Sequence, residues 1–388
     1  MNKEPINILL FGIDGTQTLP IAKSLSKNGY RLIGTYHDYW SYGAHTRYIH
    51  EKIRMDNLDE EAIVDEIIKI VQDKDIRIII PFGDSTAEIL SKHKTRLKQY
   101  VKFTIPDYDI FMSAYDKNKL MRLCDENHYP HPITVDLSDI SDNKILVDFP
   151  YPALIKPNIT TGGRGMTLVN SYEEYKDKIN AIEAKYGMCH LQQFIPEGGR
   201  QIKVQLFVDN NNEKVFGSVI WKQRYYPEKG GSSCCNVTID APELINICRS
   251  VLHDLSWDGF ADFDLIEDPR DGKMKIMEIN PRFPACLGSA MKSGIDYANL
   301  LVDYTLCKPL IPSEYKPGAK LRHIGFEVLW FISSKHRFKT NPNWFKWFSS
   351  RLYFQDFSFT DPLPFIFGTW GNIKKLFGSN IIKEKKGI

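Results

Sequence analysis

Four oxygen-bearing side chains are spaced so that two extended segments would present them together. Asp262 and Asp264 alternate along Phe260 to Ile266, while Glu278 and Asn280 alternate along the arm from Met274 to Ile279 and its exit. Side chains repeat every two residues on a strand, so each pair shares a face. Asp268-Pro269-Arg270-Asp271-Gly272 supplies turn chemistry between the arms. Carboxylate and amide oxygens are hard ligands suited to Mg²⁺, which takes its remaining ligands from waters and substrate phosphates. Arg282, behind the stiff Pro281, would neutralise charge on a transferred phosphoryl group.

Phosphate-binding chemistry recurs upstream. Lys117 opens a helical segment running to about Asn127, which Tyr129-Pro130-His131-Pro132 ends. Lys156 sits on the strand Pro152 to Pro157, ahead of Thr160-Thr161-Gly162-Gly163-Arg164-Gly165-Met166. Glycines let such a loop fold its N–H groups round an anion, and the order is not that of a Walker A loop. Further on, Lys222-Gln223-Arg224 precedes the Gly-Ser stretch Gly230 to Ser233, where basic groups would orient an acyl phosphate or a carboxylate.

These groups need a scaffold. Ile6 to Phe11, Arg31 to Tyr36 and Ile76 to Pro81 read as strands alternating with helices, including Glu60 to Asp73, which predicts a parallel sheet. Gly12-Ile13-Asp14-Gly15 lacks the full dinucleotide fingerprint. Gln201 to Val208 and Val215 to Trp221 read as an antiparallel pair, and Cys189 to Ile195 as a strand whose backbone would meet an adenine edge. A length of 388 residues, 43% hydrophobic, suffices for two or three packed units. A net charge of +2 offers no field for nucleic acid. Seven cysteines without metal-site spacing fit a reducing compartment, with Cys234 the one singled out. No secretory signal or spanning apolar run is visible, so a cytoplasmic protein is expected.

Met277-Glu278-Ile279-Asn280-Pro281-Arg282 resembles the terminal metal-binding strand of the ATP-grasp superfamily, whose members include biotin carboxylase and the carbamoyl-phosphate synthetase large subunit. The resemblance covers roughly Ile6 to Leu310 and is strongest from Lys117 to Arg282. It implies a fold of α/β and α+β character, in four parts: a Rossmann-like pre-ATP-grasp domain (1–112), a small lid subdomain (113–192), a large subdomain with the metal site (193–310) and a C-terminal appendage (311–388). It implies that Glu278, Asn280 and Asp264 bind Mg²⁺, with Mn²⁺ as a substitute and Asp262 as the alternative ligand. Lys117, Lys156 and Gly162, Gly163, Arg164 and Gly165 would bind ATP phosphates, and Arg282 would contact phosphate. Family members often carry acids where this chain has Gln193 and Gln201. Amides still hydrogen-bond ribose or adenine.

The activity implied is ligation of a carboxylate to an amine through an acyl phosphate, on an amino acid or a cell-envelope precursor, with Arg224 assisting. A nucleotide-binding module without ligase activity and a phosphotransferase are the competing readings. Small-molecule substrates and a homo-oligomer accord with the family. The tail from Ile311 combines Trp330-Phe331, Trp344-Phe345, Trp347-Phe348 and Phe365-Ile366-Phe367 with lysines and arginines. That composition suits either a compact helical appendage packed on the body or peripheral contact at the inner membrane face. Lys383 to Ile388 read as disordered.

Overall fold

The computed structural model describes residues 5–56, 59–140, 142–160, 162–210, 213–228, 231–311 and 313–378. The expected disorder of Lys383 to Ile388 falls outside them. Three sheets organise the described residues. The N-terminal sheet is parallel, in the order Glu51–Arg54, Arg31–Tyr36, Asn7–Phe11, Ile76–Pro81. Apolar strands alternate here with amphipathic helices such as Glu60–Asp73, whose N-terminus Asp59 caps by accepting from the Ala62 amide. Glu51–Arg54 lacks a β-branched run, which is why sequence pattern misses it.

A small antiparallel sheet runs Thr134–Asp136, Cys189–Gln193, Ala153–Pro157, Thr167–Val169. It packs Ile155, Val169 and Leu191 against Tyr175 and Ile179 of the helix Tyr172–Tyr186, a core of its own. The large sheet has seven strands, in the order Met274–Asn280, Gly259–Glu267, Gln201–Asp209, Lys214–Tyr226, Ser232–Ile239, Lys320–Arg322, Leu352–Phe354. One of its faces buries Ile202, Val204, Leu206 and Phe263 beneath the helix Pro242–Asp254. On the other, Phe207, Ile220 and Phe260 share a continuous core with Ile8 and Leu10 of the N-terminal sheet and Leu287 and Tyr297 of the following helices. The N-terminal and large sheets are therefore fastened together, while the small sheet keeps a separate core.

Two differences from the sequence pattern concern the site. Ser232 and Ser233, read with the Gly-Ser stretch, open the strand Ser232–Ile239, which pairs with Lys214–Tyr226 on one side and Lys320–Arg322 on the other. The appendage also extends the large sheet with two strands, each followed by a helix, Ile324–Ser333 after the first and Leu363–Gly378 after the second. Ladder hydrogen bonds recruited it, and no local helical signal predicts that.

Candidate active site

A cavity of about 570 Å³ opens where all three sheets converge. The hairpin supplies one wall. Asp264 stands opposite Glu278, and Asp262 opposite Asn280, so all four side chains share the face towards the cavity. Asp264, Glu278 and Asn280 line it with Arg282, and the Asn280 amide nitrogen lies 3.1 Å from Asp264 Oδ2. The structure thus gathers the residues expected to hold a metal.

Sequence reasoning singled out Lys222 among the basic groups and missed Lys203. On the neighbouring strand Lys203 is the register partner of Asp264, and its Nζ lies 2.6 Å from both Asp262 Oδ2 and Asp264 Oδ2. Lys222, one strand further, reaches Asp264 Oδ1 at 3.1 Å. Burial pulls the Asp264 carboxyl up, but the two ammonium groups outweigh it and hold the pKa well below the carboxylate range. Burial also lowers the Lys203 amine, and its two carboxylates more than reverse that. Asp262 is fully buried with Oδ1 unpartnered, and desolvation beside Asp264 pushes its pKa up against the pull of Lys203. The signal that would have found Lys203 is its two-residue spacing from Gln201, which also lines the cavity.

These oxygens are the donor type a divalent cation takes, and Lys203 and Lys222 pair with Asp264 in this structure. Glu278 and Asp264 face each other across the ladder, every candidate ligand atom is oxygen, and the unpartnered Asp262 oxygen adds negative charge beneath them. Arg282 is held by Asp84 through two bonds, at 2.9 and 3.2 Å, which fixes the plane of its guanidinium. Asp84 opens the helix after the fourth N-terminal strand, Ile76–Pro81, so both domains build this corner.

The opposite wall comes from the small sheet. Asp116 caps the helix Lys117–Glu126 by accepting from the Asn118 and Lys119 amides, which places Lys117 at its first turn. Lys117 Nζ donates to the Thr160 carbonyl at 2.8 Å and lies 3.5 Å from Glu278. Lys156 is 7% exposed and donates to Gln192 Oε1 at 2.5 Å. Burial lowers its pKa to about 8, with Glu278 opposing and Lys117 reinforcing the shift. Gly162 and Gly163 line the cavity with φ of 67° and 73°, a region that favours glycine. Arg164 and Gly165 are not among the lining residues, and Thr161 lies outside the described residues.

Two assignments need correction. Gln193 is turned away, because Lys156 pairs with His190 and Leu154 with Gln192, which puts Gln192 on the cavity side. Arg224 does not line the cavity. A bulge between Lys222 and Arg224 shifts the strand's phase, and the guanidinium is buried against Glu327 at 2.7 Å and over the Trp330 ring at 5.2 Å. Cys234 is buried and its thiol pKa is pushed up by desolvation, which leaves it unreactive.

The far end of the cavity belongs to segments that pattern could not place. Asp14, Gln17, Ser41 and Tyr42 come from the N-terminal domain, and His323, Phe326, Gln355 and Asn372 from the appendage. These are tied together: Gln355 donates to Thr16 at 2.8 Å, Asn372 to the Tyr42 hydroxyl at 3.1 Å, and His323 pairs with Asp356 at 3.0 Å.

Residues 114–286 match the family model for the ATP-grasp domain. That stretch is similar to an ATP-grasp domain. It is 25% identical over 262 residues to D-aspartate ligase of Enterococcus faecium, covering 61% of each chain. It is 23% identical over 269 residues to the carbamoyl phosphate synthase large chain of Thermoanaerobacter pseudethanolicus, covering 67% of this chain and 24% of that one. The chain thus spans under two thirds of these curated relatives. Among solved structures, the biotin carboxylase domain of Hydrogenobacter thermophilus 2-oxoglutarate carboxylase superposes with a TM-score of 0.68 at 16% identity, over 82% of this chain and 74% of that one. That likeness is one of fold. Among the described residues no helix is long and apolar enough to cross a membrane.

Proposed function

We propose that the protein is an ATP-dependent ligase joining a carboxylate to an amine through an acyl phosphate. The observation that carries this reading is the convergence of Lys117, Lys156, Asp264, Glu278, Asn280 and Arg282 on one cavity that continues into a separate polar and aromatic end. A phosphotransferase needs the first set. A ligase also needs room for a second and a third reactant, and the far end offers it. The D-aspartate ligase relative makes D-aspartate the first acid to try.

In this reading Lys117 and Lys156 position the ATP phosphates, and the backbone at Gly162 and Gly163 covers them and excludes water. Asp264, Glu278 and Asn280 would hold Mg²⁺, which neutralises phosphate charge when bound. Arg282, whose guanidinium plane is oriented by Asp84, stabilises charge as the acid's oxygen attacks the γ-phosphorus and ADP departs. The amine nitrogen then attacks the acyl carbon. The C–O bond to phosphate breaks, inorganic phosphate leaves with one oxygen of the acid, and the amine loses a proton. No covalent protein nucleophile is required.

The test is ADP and phosphate release from Mg²⁺-ATP over a panel of amino acids, sugar acids and amines, beginning with D-aspartate. The expected outcome is release that requires both an acid and an amine and is lost in Glu278→Gln. Release with an alcohol acceptor alone would favour a phosphotransferase, and nucleotide binding without turnover across the panel would favour a non-catalytic module.

A further inference from the structure

A second surface lies on the appendage, away from the chemistry. Between Glu327 and Asp356 the sequence carries Lys335, Arg337, Lys339, Lys346 and Arg351 and no Asp or Glu, in a chain whose net charge is only +2. The same stretch exposes Ile332 at 65%, Phe338 at 71%, Phe345 at 58% and Phe348 at 96%. These side chains are not scattered. Phe338 and Phe345 stack at 6.3 Å, and both meet Phe331, at 5.6 and 5.8 Å. A basic surface carrying clustered exposed aromatic rings marks an interaction site.

The segment is also held in place from beneath. Arg322 donates to the carbonyls of Trp344 and Asn343 at 2.9 and 3.1 Å, Arg224 donates to the Pro342 carbonyl at 2.5 Å, and the Trp344 indole donates to the Glu327 carbonyl at 3.1 Å. Arg224, Arg322 and Glu327 are themselves buried. The backbone at 342–344 is therefore fixed by charged groups that do nothing else at the surface. Ordering the loop in advance removes an entropy cost that binding would otherwise carry.

We propose that residues 332–351 dock the protein on an anionic lipid surface. The phenylalanines and Ile332 enter the boundary between headgroups and acyl chains, and Lys335, Arg337, Lys339 and Lys346 meet the lipid phosphates, while Arg351 is tied to the Lys316 and Pro317 carbonyls. An exposed isoleucine and phenylalanines suit hydrocarbon better than a nucleic-acid strand, which recruits stacking platforms along a charged groove. A second copy would bring the same positive charge against itself. The helix Ile324–Ser333 carries cavity-lining Phe326 and exposed Ile332, about 9 Å apart along its axis at 1.5 Å per residue. A docked chain thus holds the appendage end of the cavity near the lipid. The inference stands apart from the ligase reading, since it rests on a different surface.

Flotation of the full chain decides it, with vesicles of phosphatidylglycerol in phosphatidylcholine against phosphatidylcholine alone. Two double variants accompany the wild type: Phe345→Ser with Phe348→Ser, and Lys339→Glu with Lys346→Glu. All four side chains are exposed, so an unchanged thermal midpoint and unchanged ADP affinity are expected of both. The wild type floats with the anionic vesicles only. Each variant binds them more weakly, by roughly tenfold or more. A wild type that stays unbound, or variants that float as well as it does, overturns the proposal. So does binding of a single-stranded oligonucleotide, or self-association through these rings, in a protein that ignores vesicles.

Discussion

Lys222 and Arg224 are two residues apart on one strand, yet they serve opposite purposes. Lys222 faces the cavity beside Lys203 and Asp264, where the charges stand within reach of a ligand, and Asp262 is buried beneath them. Arg224, turned by the bulge, joins Glu327 and Arg322 in a network that is 3%, 0% and 1% exposed and bonds only to protein. Both networks hold acids against bases. What separates them is what else the groups can touch: the first can exchange a lysine partner for phosphate or metal, and the second fastens the appendage to the sheet.

The comparison breaks if the buried network tolerates loss of its acid. Glu327→Ala leaves two buried guanidinium groups uncompensated, and a stability loss of about 3–5 kcal/mol is expected in chemical denaturation. Glu278→Gln should do the reverse, lowering turnover by about 10²–10³-fold while the denaturation midpoint holds. If Glu278→Gln instead unfolds the chain, the cavity acids are structural and the contrast is lost.

Lys156 sharpens the contrast through pH. Its pKa is lowered to about 8 by burial, so the ammonium that attracts phosphate is present below that pH and lost above it. Nucleotide affinity, followed by titration calorimetry, should therefore fall as pH rises through about 8. In Lys156→Arg, which keeps its charge, the profile should flatten. The smallest effect concerns Arg224. Arg224→Lys should leave the ATP KM within about twofold while lowering stability, because the planar fork that reaches Glu327 and Pro342 is lost.

The grouping of the candidate metal trio was legible because its geometry is local. Asp264, Glu278 and Asn280 lie on two strands joined by a short turn, and alternation alone puts them on one face. Phase was the weak point elsewhere. Gln192 and Gln193 are indistinguishable until the register with Leu154 is known, and Arg224 looked like a neighbour of Lys222 because a bulge leaves no mark in composition. Lys203 was hidden by type, since a lone lysine on the strand Gln201–Asp209 reads as an ordinary solvated charge. The far end of the cavity was beyond reach: Thr16 meets Gln355, and Tyr42 meets Asn372, across more than three hundred residues of chain. Such pairings follow from how the appendage joins the large sheet, which no segment encodes alone.

The central claim is that an acid in this cavity is activated by phosphorylation before an amine displaces the phosphate. It is tested most directly by supplying the acid of a productive pair with ¹⁸O in its carboxylate and analysing the inorganic phosphate by mass spectrometry. The account predicts one labelled oxygen in each phosphate released. Unlabelled phosphate formed alongside amide would contradict it.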